Sequence, residues 1–384
     1  PRGRAGFAVA TVAVVMAGFL GVAVGSRFHT RQVTAAVVPR QPSFSPNQLS
    51  TPTDGAGAPA DQPAIAAKVE PGLVDINTNL GYQGAQAAGT GMILTPSGEV
   101  LTNNHVIDGA TSITVQLVGG GRTYRATVVG TDPSDDIAVL RLQGASGLKT
   151  VPLGLSAKVS PGDAVVAIGN AGGVGGTPSV VGGQVQGVDQ SITASDQGGG
   201  HAEQLSGLIE TNAPIQAGDS GGPLVNTAGQ VIGIDTAASA GTRFQSQQAV
   251  GFAIPIGKAV SIAQQIESGK AGGNIQIGSP GFLGVEVQSV ADAQAGNGLG
   301  GGSVPAAGSG AVVAGVVPSS PAQSVGIAAG DVITSLDGQA ITTPTQLTTA
   351  MQQHKPGDRV AIAWTDQSGQ AHSATATLTT GPAD

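Results

Sequence analysis

The chain has 384 residues, 40% of them apolar and only 10% charged, with a formal net charge of −8. That length leaves room for two or three domains with their own cores, and the acidic balance argues against nucleic acid, whose binders carry basic patches. Cysteine is absent, and 62 glycines stand beside 3% aromatic residues, so tight turns and small side chains build much of the fold, and an exported form would be stable without disulfides.

Arg2 and Arg4 precede an almost uninterrupted apolar run over residues 7–24. Such a run is close to the roughly 20 residues of a membrane-spanning helix and longer than the ~7–15 of a signal-peptide core. Ala23-Val24-Gly25 also supplies a small-x-small pattern for cleavage. Residues 1–29 therefore read as a transmembrane anchor or a signal segment. In either case the leading arginines keep the N-terminus inside and send the remainder out. Residues 30–63, rich in Pro, Ser, Thr, Gln and Ala without an apolar period, read as a flexible linker.

From residue 64 onward, short β-type segments recur between glycines: 73–77, 91–94, 113–117, 124–129, 137–142, 164–168 and 231–234. Many short strands with turn signals between them predict a mainly β domain, an antiparallel barrel or sandwich, and two linked barrels suit the length. Three motifs follow one another within it. Gly98-Glu99-Val100-Leu101, a turn into a short strand, leads to Thr102-Asn103-Asn104-His105-Val106; Asp135-Asp136-Ile137-Ala138-Val139-Leu140 opens another strand. Ala217-Gly218-Asp219-Ser220-Gly221-Gly222-Pro223-Leu224 is a tight turn able to aim the Gly218 and Ser220 N–H groups at one point beside the Ser220 hydroxyl. That is an oxyanion hole built into a nucleophile's own loop. The order His, Asp, Ser is that of chymotrypsin, not of subtilisin or the α/β-hydrolases.

At 255–268 the period changes. Ile256, Ala259, Val260, Ala263 and Ile266 make one apolar face, with Pro255 near the start and Gly269 just past the end, so a helix closes a domain at 64–270. Residues 271–279 read as a short linker and 279–381 as a separate unit. Within that unit, strands are expected at 282–287, 311–317, 331–336, 359–364 and 373–378, and capped helices at 320–326 and 343–353. Residues 293–310 form a Gly-rich insertion too poor in apolar residues to pack.

These motifs resemble the HtrA/DegP serine proteases, together with Asn212-Ala213-Pro214-Ile215-Gln216 before the serine turn and Gly251-Phe252-Ala253-Ile254-Pro255 after it. Gly326-Ile327-Ala328-Ala329-Gly330-Asp331-Val332-Ile333 looks like their PDZ domain, and the order of anchor, tether, protease and single PDZ is similar to the PepA-like members. The resemblance covers roughly residues 64–380 and draws its specificity from the combination.

It implies a chymotrypsin-like double β-barrel protease domain followed by a PDZ domain. His105, Asp136 and Ser220 carry over as the triad, and Gly218, Asp219 and Ser220 as the oxyanion hole. Asp219, where many members carry Asn, reads as a turn residue whose N–H lines the hole. Phe282-Leu283-Gly284-Val285 resembles the loop that holds a peptide C-terminus while the peptide adds as a strand. Leu347 and Met351, four apart on the second PDZ helix, either line its side-chain pocket or belong to the core. Ile215, Thr236 and Ala237 suggest a modest apolar pocket for small aliphatic side chains, and residues 191–204 correspond to a loop that relays peptide binding. The expected substrates are unfolded or damaged exported proteins, with C-terminal peptides at the PDZ domain, membrane contact through the N-terminal segment and a homotrimer. The expected location is the cell envelope, membrane-anchored with the protease domain outside, or secreted. Neither cofactor nor metal is implied. The rival reading is a latent or inactive protease acting as a PDZ-based chaperone or peptide-binding protein.

Overall fold

The computed structural model describes residues 54–81, 85–195, 202–236, 250–294 and 309–383. The apolar run at 7–24 and most of the expected linker lie outside them. Among the described residues no helix is long and apolar enough to cross a membrane.

After a short helix, α1 (Gln62–Val69), come β1 (Leu73–Leu80), β2 (Ala85–Ile93) and β3 (Glu99–Thr102). A one-turn helix α2 (Asn104–Ile107) leads on to β4 (Ser112–Leu117), β5 (Thr123–Asp132) and β6 (Ile137–Leu142). β1 lies between β2 and β4, β3 joins β2 to β6, and β6 pairs back onto β5, so these strands close into a barrel. Closure removes the open edges that would otherwise template aggregation. Its interior is filled by Val74, Ile76, Val100, Val115 and Leu140, inward members of the alternating pattern.

A second closed barrel takes β7 (Ala164–Gly169), β8 (Ser179–Ser195), β9 (Ala202–Thr211), β10 (Pro223–Asn226), β11 (Val231–Thr236) and β12 (Gly251–Pro255), in the order β10-β11-β12-β9-β8-β7. β8 and β9 run on as a long hairpin, with Ser191 opposite Ser206 and Ser195 opposite Ala202. The flanks of the expected loop at 191–204 are therefore strand, and residues 196–201 lie outside the described residues.

α3 (Ile256–Glu267) buries Ile256, Ala259, Ile262, Ala263 and Ile266. They share one core with Leu73, Met92 and Leu101 of the first barrel and Val166, Ile168 and Ile234 of the second. The helix thus seals the seam between the barrels. Gly130 leaves the space that Ile266 fills, since a Cβ there would lie 2.7 Å from Ile266 Cγ2. Ile266→Ala is expected to cost about 2–5 kcal/mol of stability, read as a lowered denaturation midpoint. A shift equivalent to less than about 1 kcal/mol would mean that the seam collapses around the cavity.

Two segments expected as linker pack against the barrels. The Gly182 N–H donates to Asp54 Oδ1 (2.8 Å), Gly55 N–H to Gly182 O (2.9 Å) and Asn212 Nδ2 to Ala56 O (3.1 Å). Downstream, β13 (Gln276–Ile277) pairs with β5. Both attachments run through backbone and polar groups, which leave no apolar period in the sequence.

The C-terminal unit contains β14 (Gly281–Phe282), β15 (Val285–Ser289), α4 (Val290–Gln294), β16 (Ala311–Val316), α5 (Pro321–Val325) and β17 (Val332–Leu336). It continues with β18 (Gln339–Ala340), α6 (Pro344–Met351), β19 (Arg359–Thr365), β20 (Ala371–Thr377) and β21 (Thr379–Thr380). The sheet order is β15-β16-β17-β19-β20, with β18 on β17 and β14 on β21. Ser320 and Thr343 cap α5 and α6, their side chains accepting from the N–H groups of Gln323 and Gln346, with proline in the first turn of each helix. β15 is the edge strand of this sheet, and α6 packs beside it.

Candidate active site

β3 and β6 are neighbours with Thr102 opposite Ala138, so the residues after β3 and those before β6 emerge side by side. Asn103 stays extended and begins α2, which turns His105 toward the start of β6. Before that strand, Asp132 accepts the Asp135 N–H and caps a 3-10 turn over Pro133–Asp135, leaving Asp136 in the left-handed region at φ 53°. Aspartate is among the few non-glycine residues that tolerate this conformation. Of the three nearby acids, Asp132 serves as the cap and Asp135 pairs with Lys258 at 2.6 Å, so Asp136 alone reaches the histidine.

The Asp136 carboxylate is 1% exposed. Its Oδ2 lies 2.9 Å from His105 Nδ1 and its Oδ1 accepts the His105 backbone N–H at 3.0 Å. Thr236 at the end of β11 crosses from the second barrel and donates its hydroxyl to Oδ2 at 3.2 Å. Asn103 Nδ2 holds the Asp136 carbonyl at 2.9 Å. A carboxylate against Nδ1 puts the ring proton there and makes Nε2 the basic nitrogen. The hydroxyl of Thr236, a residue expected beside a substrate pocket, is a second support for the carboxylate. Ile215 is half-buried with the second-barrel core, and Ala237 lies outside the described residues.

The serine turn is held from three sides. Thr90 N–H donates to Ser220 O (2.8 Å), Gly221 N–H to Asp235 O (2.8 Å), and Asp235 N–H to Gly222 O (2.7 Å). Gly172 N–H donates to Ala217 O (2.8 Å). In a planar trans peptide the C=O and N–H point opposite ways, so the Gly218 N–H turns away from Gly172. Gly218 sits at φ 98°, where a Cβ would lie 2.1 Å from the Asn170 carbonyl oxygen, and only glycine fits. Asp219 corrects an expectation. Its N–H donates to Gln216 O at 3.0 Å and its Oδ2 accepts the Gln216 N–H at 2.9 Å, so that N–H closes a turn rather than lining the hole.

Behind the serine turn lie two buried carboxyls. Burial pushes Asp219 up to about 6, the Gln216 N–H offsetting part of the effect. Asp235 is raised well above the usual carboxylate range, first by complete burial and then by the neighbouring Asp219. Asp219 Oδ1 is buried without a hydrogen-bond partner, and the Ile168 backbone offsets only a small part of the Asp235 shift. Thr90, Asp235 and the structural use of Thr236 were absent from the sequence reading; the one local signal was Gly89 and Gly91 flanking Thr90. Beside the turn opens a cleft of about 450 Å³ whose lining includes Gln86, Ala88, Thr114, Gly173 and Gly218.

In the C-terminal unit, Leu283 (3% exposed) and Leu347 (2%) have core side chains, so Leu347 does not line a groove and Leu283 can offer one only its backbone. Met351 is half-buried at the edge of that core. Leu283 O accepts from Ala322 N at 2.9 Å, which turns the Gly284 N–H the opposite way. Gly284, at φ 83°, would clash with Ser320 if it carried a Cβ. Phe282 lies in β14 and Val285 opens the β15 edge.

The trypsin-like peptidase domain family matches residues 89–234 and the PDZ domain family residues 281–365. Serine protease PepD of Mycobacterium tuberculosis is 34% identical over 397 residues, which cover 98% of this chain and 78% of PepD. Periplasmic serine endoprotease DegP of Escherichia coli is 38% identical over 263 residues, and the match spans 66% of this chain but only 49% of DegP. Among solved structures, HtrA-type protease AlgW with tripeptide aligns with a TM-score of 0.45 at 32% identity, covering 84% of this chain and 97% of AlgW.

Proposed function

The chain is a serine endopeptidase of the HtrA family with a single PDZ domain, and from that premise we propose that His105, Asp136 and Ser220 are its catalytic triad. The observation that carries this reading is the buried Asp136 carboxylate, which engages both the ring and the backbone N–H of His105. His105 Nε2 takes the Ser220 proton as Oγ attacks the scissile carbonyl, and Asp136 stabilises the imidazolium that results. The Gly218 and Ser220 N–H groups receive the oxyanion; losing one such donor typically lowers turnover ~10²–10³-fold. His105 then protonates the departing amine, and water hydrolyses the acyl-enzyme through the same base.

The proposed substrates are unfolded or damaged exported polypeptides. Support comes from relatives named as periplasmic endoproteases, DegP and DegQ of Escherichia coli. The proposed setting is extracytoplasmic, with residues 1–29 as anchor or signal and a homotrimer as the assembly. At the PDZ domain, a substrate C-terminus adds as a strand along β15, its carboxylate meeting the backbone of Phe282–Val285 and its side chains meeting Met351. The hairpin of β8 and β9 is the proposed relay from that site to the serine turn.

Fluorophosphonate labelling of the full chain beside Ser220→Ala tests the assignment. Labelling of the parent and none of the variant is the expected result; equal labelling of both removes Ser220 as the nucleophile. Labelling that needs an added C-terminal peptide would identify a latent resting enzyme.

A further inference from the structure

We infer that Thr90 is a positioning residue that sets the oxyanion hole through its side-chain hydroxyl. This rests on reading Ser220 as nucleophile and the Gly218 N–H as oxyanion donor. Thr90 is 1% exposed on β2, in the first barrel, yet its groups reach both ends of the serine turn. Its N–H donates to Ser220 O at 2.8 Å, and its Oγ1 donates to Gly218 O at 2.8 Å. The same Oγ1 accepts the Asn170 N–H at 2.8 Å. Thr102 Oγ1 in turn donates to Thr90 O at 2.7 Å, fixing the residue from β3.

A hydroxyl has one proton to give, so the bonds form a directed chain from the Asn170 N–H through Thr90 Oγ1 to the Gly218 carbonyl. Such chains polarise and strengthen one another. Gly218 is the pivot of the hole, and a glycine at positive φ has wide rotational freedom. Both peptide planes around it are tied to one turn at Ala171–Gly173 and its leading Asn170. Gly172 holds the Ala217 carbonyl directly, and Asn170 holds the Gly218 carbonyl through Thr90. Within this set Thr90 Oγ1 is the one side-chain link. The plane after Gly218 is also held inside the turn by the Asp219 N–H on Gln216 O, so Thr90 Oγ1 is the tie that fixes it from the first barrel, and its loss loosens the pivot between the two planes.

The test measures kcat and KM per titrated active site for full-length Thr90→Val, Thr90→Ser and Thr90→Cys, with binding of a peptide boronate as a mimic of the tetrahedral adduct. Thr90→Val keeps the shape and removes the hydroxyl. It is expected to lower kcat and boronate affinity together by about 10²-fold with KM within about twofold, and Thr90→Ser to return kcat to within about threefold. Should the valine variant fail to fold, the thiol of Thr90→Cys, a weak donor, must give an intermediate loss. A purely structural role would lower the melting temperature and the titrated fraction while leaving kcat per site intact, and that result overturns the inference. Loss that serine does not rescue overturns it as well. Persistent activity in Ser220→Ala would instead refute the triad, a separate outcome from any Thr90 result.

Discussion

An Asp136→Asn enzyme is expected to fold normally and to lose about 10⁴-fold in kcat with little change in KM. Asparagine tolerates the left-handed backbone at this position, and its Oδ1 can still accept the His105 backbone N–H. Its Nδ2, however, replaces the oxygen that faces both His105 Nδ1 and the Thr236 hydroxyl. An amide nitrogen donates and does not accept. With Oδ1, itself 3.0 Å from Nδ1, already accepting the backbone N–H, the Nδ2 contact favours a ring that accepts at Nδ1 and carries its proton on Nε2, the atom required to take the Ser220 proton. Thermal unfolding within a few degrees of the parent, with activity near background, is the predicted pair of results. Activity within about tenfold of the parent would show that Asp136 does not set the tautomer.

Asp235→Asn is expected to stabilise the protein at and above neutral pH and to leave it nearly unchanged in acid. A carboxyl whose folded pKa is raised binds its proton more tightly in the folded state. Its contribution is therefore most favourable below the unfolded value and is lost as pH rises through the folded one. For Asp219, 3.8 raised to about 6 corresponds to about 3 kcal/mol of destabilisation once both states are ionised. Asp235 is shifted in the same direction, with burial and Asp219 both opposing its charge. Asparagine fills the same volume without a charge to desolvate. Denaturation midpoints of the parent and of Asp235→Asn should therefore diverge as pH rises from 4 to 8, and Asp219→Asn with Asp235→Asn should widen the gap. Parallel curves would mean that both carboxyls find polar relief on ionisation. Because Asp235 grips Gly221 and Gly222 through its backbone, the charge is felt directly behind the serine turn.

Much of this site was legible from the chain because it is encoded locally. The histidine, aspartate and serine motifs stand in contiguous stretches, and Gly218 and Gly221 mark positive-φ positions that only glycine occupies without strain. The apolar period of α3 and the proline-led caps of α5 and α6 are likewise properties of a few consecutive residues.

Other features belong to pairs of residues far apart in the sequence, and the tertiary structure decided them. Thr90 and Gly218 are 128 positions apart, and Thr236 and Asp136 are 100 apart. Neither threonine differs, as a residue in its strand, from one that merely fills a β position. The resemblance puts the Asp219 N–H in the hole, and its bond to Gln216 O turns it elsewhere. Leu347 satisfied both a groove and a core reading until the tertiary structure placed its side chain in the core. The segments at 54–61 and 276–277 dock through backbone groups and the polar side chains of Asp54 and Asn212, which leave no apolar period to read. Residue type and local spacing thus determined which groups were available for chemistry. Which of them meet, and in what orientation, depended on barrel closure and strand register, because those bring distant backbone and hydroxyl groups within hydrogen-bond range.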